Sequence, residues 1–301
     1  MKRKLVKHGS STLTISLPAQ WVKNNALENG DFLSIDISDR GLFLYPEKPH
    51  FDNVQIDARE KDDWYIDKVL TNLYIFGFDE IKISYEGQHQ FDYIREILNR
   101  LMGFEIIETK RDSCLVKNMA SIDNVDYEET TNRILWMVLS QFDNFIEDIS
   151  NKKLEHYESA INDYKTIFKL LNLSRRLINK KISYGIITSK YVFNFLTSLL
   201  NVSRTIYYSY ESLKKGGKID FAHKEIEFIH KTREFYYDLM LAYKNMNLAK
   251  IKEFIEEREQ ISETSLSILR EKNPAIIHFF LDVLKELSGI SNLIIILAVK
   301  N

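Results

Sequence analysis

The chain has one cysteine, Cys114, which excludes an intramolecular disulfide and a cysteine-based metal site and agrees with a reducing cytosol. Proline (4) and glycine (10) are scarce among 301 residues, so long uninterrupted helices are expected. No apolar run reaches spanning length. The best stretch, Leu293 to Val299, is too short, and His278, Asp282, Lys285 and Glu286 interrupt what precedes it. Met1 to Lys4 carries the charge of a signal n-region, yet the stretch that follows is polar and β-branched. The expectation is a cytoplasmic protein without membrane insertion. A net charge of −2 excludes a globally basic coat, so any nucleic-acid site must be local. Enzyme signatures are missing: no Gly-rich loop ending in Lys-Ser/Thr, no Gly-x-Ser-x-Gly, no His-Glu-x-x-His. Among the histidines no two stand at i, i+3 or i, i+4. Neither catalysis nor zinc ligation is expected.

What is present begins at the amino end. Five basic groups, Lys2, Arg3, Lys4, Lys7 and Lys23, precede the first acid, Glu28. They sit in a short β-rich segment, with strands expected at 3–8 and 12–17 around a Gly9-Ser10-Ser11 turn. Pro18 opens a short helix bearing Trp21, Val22 and Leu27, and Gly30 can end it. Phe32 to Ile37 and Leu42 to Tyr45 alternate around Asp39-Arg40-Gly41 as a β-hairpin, and Pro46 and Pro49 mark a linker. So small a segment cannot bury a core alone, so it is expected to dimerise, doubling a positive field that attracts a phosphate backbone.

Residues 54–117 read as β-α-β-α-β-β. Val54 to Ala58 is a strand. Asp62 or Asp63 caps a helix through Phe76, stopped by Gly77. Glu80 to Tyr85 is a strand, residues 90–102 a helix stopped by Gly103, and Phe104 to Thr109 and Ser113 to Lys117 are strands. From Tyr127 onward the pattern is helical. Ile134, Leu135, Val138, Phe142, Phe145 and Ile149 form one stripe; further helices are expected at 157–182, 186–213, 220–246, 249–271 and 274–299. Lys215-Gly216-Gly217 splits them three and three. Asp143, Glu147 and Asp148 are expected to face water, as are the acids around Arg258. The clustered aromatics Tyr207, Tyr208, Tyr210 and Phe235, Tyr236, Tyr237 are expected to pack between helices.

The amino-terminal segment resembles the SpoVT/AbrB swapped-hairpin family. The likeness rests on Lys4 and Lys7 before Gly9, Ser11-Thr12, Ser16-Leu17-Pro18, Trp21-Val22, Leu27-x-x-Gly30-Asp31 and Leu42-x-Leu44. It implies an intertwined homodimer that binds double-stranded DNA through the first strand and following loop, here Lys2, Arg3, Lys4, Lys7, His8, Ser10 and Ser11. Residues 54–301 resemble archaeal PhoU-type phosphate-uptake regulators carrying such a head. The likeness is carried by Leu73-Tyr74-Ile75-Phe76-Gly77-Phe78-Asp79-Glu80-Ile81, Ile94-Arg95 and Leu101-Met102-Gly103-Phe104-Glu105-Ile106-Ile107-Glu108.

The combined resemblance implies a multi-domain α+β chain. Its parts are a swapped-hairpin β domain (1–48), a small α/β connector (52–118) and a PhoU-like pair of three-helix units (127–215 and 219–301). It also implies a regulator of phosphate uptake whose partner is the phosphate transporter's ATPase or a linked signalling protein. PhoU bundles carry Glu/Asp-x-x-x-Asp on the third helix of each unit. Here the first unit reads Leu200-Asn201-Val202-Ser203-Arg204-Thr205, without a carboxylate, and in the second Glu286 is followed by Gly289 and Ile290 where the next acid belongs. The family's metal clusters are therefore expected to be absent or degraded, with Asp282 and Glu286 the residual candidates. Three readings follow: a DNA-binding regulator, a dimeric scaffold without a DNA role that docks on and restrains the ATPase or signalling partner, and a metal-loaded sensor.

Overall fold

The structure, a computed structural model, describes residues 1–38, 41–46, 53–119, 127–180, 186–216, 218–245, 251–256 and 267–300. It is a multi-domain α+β chain: amino-terminal hairpins, a small mixed sheet with helices, then a helical region. It divides into two compact units, Met1–Asp52 and Asn53–Asn301.

The first unit holds β1 (Val6–His8), β2 (Thr12–Thr14), α1 (Ala19–Asn24), β3 (Leu33–Ser38) and β4 (Gly41–Pro46). Its strands pair only as two separate antiparallel hairpins, β1-β2 and β3-β4. Gly30 does not end α1. The helix stops at Asn25, whose amide and side chain both return to Trp21 O, and Ala26 follows with φ +48°. Gly30 (φ +102°) instead serves the 28–31 turn, closed by Glu28 N donating to Asp31 Oδ2 at 2.7 Å. Asp39, Arg40 and Pro49 lie outside the described residues.

The second unit begins with β5 (Val54–Asp57), α2 (Asp63–Phe76), β6 (Glu80–Ser84), α3 (Gly87–Leu98), β7 (Phe104–Thr109) and β8 (Ser113–Asn118). The sheet order is β5-β6-β8-β7. β5 and β6 are parallel across α2, and β8 runs antiparallel to both β6 and β7. Alternation writes its core face: Ile81, Ile83, Cys114 and Val116 are buried. Burial pushes the Cys114 thiol up to about 11. At α2, Asp62 accepts from Tyr65 N at 2.8 Å and Gly77 closes the helix in the left-handed region, φ +112°. α3 starts and ends earlier than expected. Gln90 belongs to its first turn, accepting from Glu86 N and donating to Ala58 O and Lys61 O. Beyond Leu98 a turn still buries Leu101, so the apolar pattern outlasts the helix.

The helical region comprises α4 (Tyr127–Asn151), α5 (Tyr157–Lys180), α6 (Ile186–Gly216), α7 (His223–Asn245), α8 (helical at 251–256) and α9 (Pro274–Lys300). One continuous apolar core runs through them. Phe142, Phe145, Tyr210, Tyr236 and Phe280 meet edge-on or tilted at 5.0–6.1 Å, and Tyr236 donates to Leu135 O at 2.8 Å. Tyr207 stacks on Tyr164, whereas Tyr208 is exposed. Glu225, fully buried, accepts from Ala222 N, Asn273 N and Asn273 Nδ2, tying the start of α7 to the approach of α9. Among the described residues no helix is long and apolar enough to cross a membrane.

The sheet layer is riveted to the helices through α5. The last carbonyls of a helix lack intrahelical donors and carry partial negative charge. At the end of α2, Arg176 donates to Tyr74 O (2.7 Å) and Phe78 O (2.8 Å) and pairs with Asp79, while Asn179 donates to Ile75 O (2.7 Å). Lys180 also pairs with Asp79. The Arg176 guanidinium lies over the Tyr74 and Phe104 rings.

Asp148 contradicts its expected exposure: it is 1% exposed. Its carboxylate accepts from His156 N (3.0 Å) and lies 2.8 Å from His156 Nδ1, folding the α4–α5 turn back on itself. Asp143 and Glu147 are exposed, as expected. The hydrogen bond to Asp148 raises the His156 pKa from its ordinary 6.5 against the opposing effect of desolvation. The stabilising contribution of the charged imidazole is therefore fully present below pH 6.5 and lost as pH rises through the higher folded value. Thermal melts between pH 6 and pH 9 should fall more steeply for the parent than for His156→Gln. Identical slopes would show that the pair contributes nothing.

Candidate nucleic-acid interface

The seven residues expected to contact DNA lie along one arm of the first unit. Lys2, Arg3 and Lys4 lead into β1, Lys7 and His8 lie on it, and Ser10 and Ser11 form the turn with Gly9. All seven are exposed. The register places Val6 opposite Thr14, Lys7 opposite Leu13 and His8 opposite Thr12. Lys7 and Leu13 therefore share one face, and Val6, His8, Thr12 and Thr14 the other. Gly9 has φ +70°, a conformation that a side chain would strain, which lets three residues reverse the chain. Thr14 Oγ1 donates to Val6 O at 3.1 Å and holds the open end of the hairpin.

No carboxylate pairs with Lys2, Arg3, Lys4 or Lys7 among the described residues. Four cations and two hydroxyls thus point into solvent around a turn whose backbone amides are free of helix or strand duty beyond the β1–β2 pairs. Such a set recognises phosphate oxygens, by charge from Lys and Arg and by hydrogen bonds from Ser and backbone N–H.

The same unit leaves its apolar residues uncovered. No described residue of 1–46 is buried. Leu5, Val6, Leu13 and Ile15 are exposed around the first hairpin, and Phe32 (76%), Ile35, Ile37 (83%) and Leu42 around the second. In β3-β4 Ile35 faces Leu44 and Ile37 faces Leu42, so one side of that hairpin is an apolar strip. Leu17, Pro18, Trp21, Val22, Asn25 and Leu27 around α1 are half-buried, together with parts of β3 and β4.

The residual metal candidates join no set of three ligands among the described residues. Asp282 lies 3.8 Å from exposed His278 one turn earlier, and Glu286 accepts from Asn201 Nδ2 at 3.0 Å. Among the described residues no group of three His, Cys, Asp or Glu side chains could hold a metal ion. Reading by charge runs and metal spacings passed over Arg175 on α5 and Arg204 on α6, neither of which has a carboxylate partner among the described residues. The signal for them was a repeated quartet, Asn172-Leu173-Ser174-Arg175 and Asn201-Val202-Ser203-Arg204. Comparison of the chain with protein-family models, with curated proteins and with solved structures finds no match.

Proposed function

We propose that this chain is a dimeric DNA-binding regulator of phosphate uptake. Its amino-terminal unit grips the duplex backbone through Lys2, Arg3, Lys4, Lys7, His8, Ser10 and Ser11, and its helical region senses a signal or docks a protein partner. The observation that carries the reading is the combination within residues 1–46: unpaired cations on a hairpin arm, beside apolar strands that a single chain leaves uncovered. Burying those strands against a second copy sets two basic arms on one twofold assembly. The link to phosphate uptake comes from the order of head, α/β layer and helices, and from the Leu73–Ile81 and Leu101–Glu108 segments. Residues 1–48 then correspond to an AbrB-like head and residues 127–301 to PhoU-like arms.

The exposed strands equally support a second reading, a dimeric scaffold that docks on the transporter ATPase or a signalling protein and has no DNA role. Salt separates the two. A dimer presents two copies of each arm. With some six to ten phosphate contacts, its affinity for duplex DNA should drop about 10³-fold or more between 50 and 200 mM salt. A variant with Lys2, Arg3, Lys4 and Lys7 changed to Gln should lose most of its affinity at 50 mM and flatten the salt slope. Binding that ignores salt, or survives in that variant, would overturn the DNA reading and leave the scaffold.

A further inference from the structure

Arg175 and Arg176 are neighbours on α5 with opposite surroundings. Arg176 meets Asp79 and two carbonyls. Arg175 is 7% exposed and has no carboxylate partner among the described residues. Its contacts are weak or neutral: Nη1 to Asn172 Oδ1 at 3.3 Å, Nη2 to Thr197 Oγ1 at 3.0 Å, and the face of Phe193 at 5.2 Å. Its Nε, and Nδ2 of fully buried Asn172, have no hydrogen-bond partner. A buried guanidinium without a counter-charge is costly, and water can satisfy its hydrogens but not its charge.

A second cation lies along the same seam. α5 and α6 run antiparallel, as the pairings Tyr157–Glu211, Tyr164–Tyr207 and Arg175–Thr197 show. In that register the two guanidinium groups turn back along their own helices, Arg175 to Asn172 and Arg204 to Asn201. Burial first, and the Arg204 charge second, hold the Arg175 guanidinium down at about 10. Arg204 repeats the local geometry of Arg175, with Nη1 at 3.4 Å from Asn201 Oδ1 three residues earlier. It too lacks a carboxylate partner among the described residues; Glu286, across on α9, is engaged by the Asn201 amide instead. Thr197, Asn201 and Arg204 are only half-buried, so the cluster opens to solvent along α6.

We infer that the paired Asn-x-Ser-Arg quartets of α5 and α6 form a binding site for a small free oxyanion of the inorganic phosphate class, held by Arg175 and Arg204 with the Asn172 amide. The two groups that the argument leaves without a hydrogen-bond partner, Arg175 Nε and Asn172 Nδ2, are both donors, which suits an acceptor-only ligand carrying more than one oxygen. The enclosed position of Arg175 favours a compact ion over a phosphate borne on a polymer. The segment 200–207, which the sequence shows to be free of carboxylates, is cationic rather than cation-binding. The site lies within the second unit and stands independently of the DNA reading: either can fail without the other.

Thermal melts of the full chain test it, with sodium phosphate against sodium chloride at matched ionic strength and pH. Ten millimolar phosphate should raise Tm by about 3 °C, the size expected for a ligand at several times its Kd. Arg175→Met should abolish the rise while the ligand-free protein melts at or above the parent temperature, since an unpaired buried charge has gone. Arg204→Met should weaken the response, and Glu286→Gln should enhance it by removing a nearby negative charge. No rise with phosphate, or an equal rise in Arg175→Met, overturns the site. Tighter binding of a phosphoserine peptide than of phosphate overturns the assignment to a free ion. A response abolished by Glu286→Gln overturns the sign of the ligand.

Discussion

Arg176→Met should destabilise the protein by about 3–5 kcal/mol, the cost of losing two hydrogen bonds from a charged donor and one partner of a partly exposed ion pair. Its side chain is wholly buried and makes three kinds of contact at once: two carbonyls at the end of α2, the Asp79 carboxylate, and the faces of Tyr74 and Phe104. Methionine fills much of the volume but offers no donor, so Tyr74 O and Phe78 O lose the hydrogen bonds that Arg176 supplies. Asp79 keeps Lys180, which limits the loss. For a unit of this size the fall in Tm is roughly 6–20 °C. Arg175→Met, one residue away and similar in volume, should lower Tm by nothing. The contrast between two adjacent arginines separates lost partners from lost packing. Equal melting of the two variants would mean that the α2–α5 junction is held by its apolar contacts alone.

The junction also shows where sequence reading succeeds and where it stops. α2 is legible because its ends are written locally, Asp62 as acceptor at one end and Gly77 as the left-handed residue at the other. The helical stripes of α4 to α7 are legible because burial repeats with the helix period. Partners distant in the chain leave no such mark. Nothing near Arg176 announces that its guanidinium reaches back to Tyr74, Phe78 and Asp79. Asp148, in a run with Asp143 and Glu147, looks solvated until the α4–α5 turn brings His156 onto it. The periodicity that extended α3 to 102 was a true report of burial at Leu101 but a false one of helix, since a turn can hold a side chain on the same side.

In the first unit, the alternation places the strands of the second hairpin but not a core beneath them. Leu33, Ile35 and Ile37 alternate as a core face, yet Ile35 and Ile37 are exposed. An isolated hairpin is marginal in water, and this exposed apolar face is the ground for the proposed dimer. The cationic candidates were legible as composition, since five basic groups precede Glu28. Their lack of carboxylate partners was not, because it depends on where the acids fold; Glu28 and Asp31, for example, lie together in the 28–31 turn.

If the chain is the proposed DNA-binding dimer, changing Ile35 and Ile37 together to Thr should turn it into monomer at micromolar concentration and, through that alone, weaken DNA binding by about 10²-fold or more. Threonine keeps the β-branched shape and adds no charge, so the strand and the electrostatics of the arm remain. Each substitution forfeits about 1.5 kcal/mol of apolar burial at a covered interface. A twofold assembly loses it twice, so the dimer constant should weaken by ~10⁴-fold. Each free head still carries Lys2, Arg3, Lys4 and Lys7, but the second arm is no longer delivered at high local concentration, which is where tandem sites gain ~10²–10⁴ in affinity. Sedimentation reads the first step and binding to a short duplex at 50 mM salt reads the second, on the same preparation. A variant that stays dimeric would place the twofold contact away from β3 and β4. A monomer that binds as tightly as the parent would show that one arm suffices, and that the apolar strip serves assembly without serving DNA.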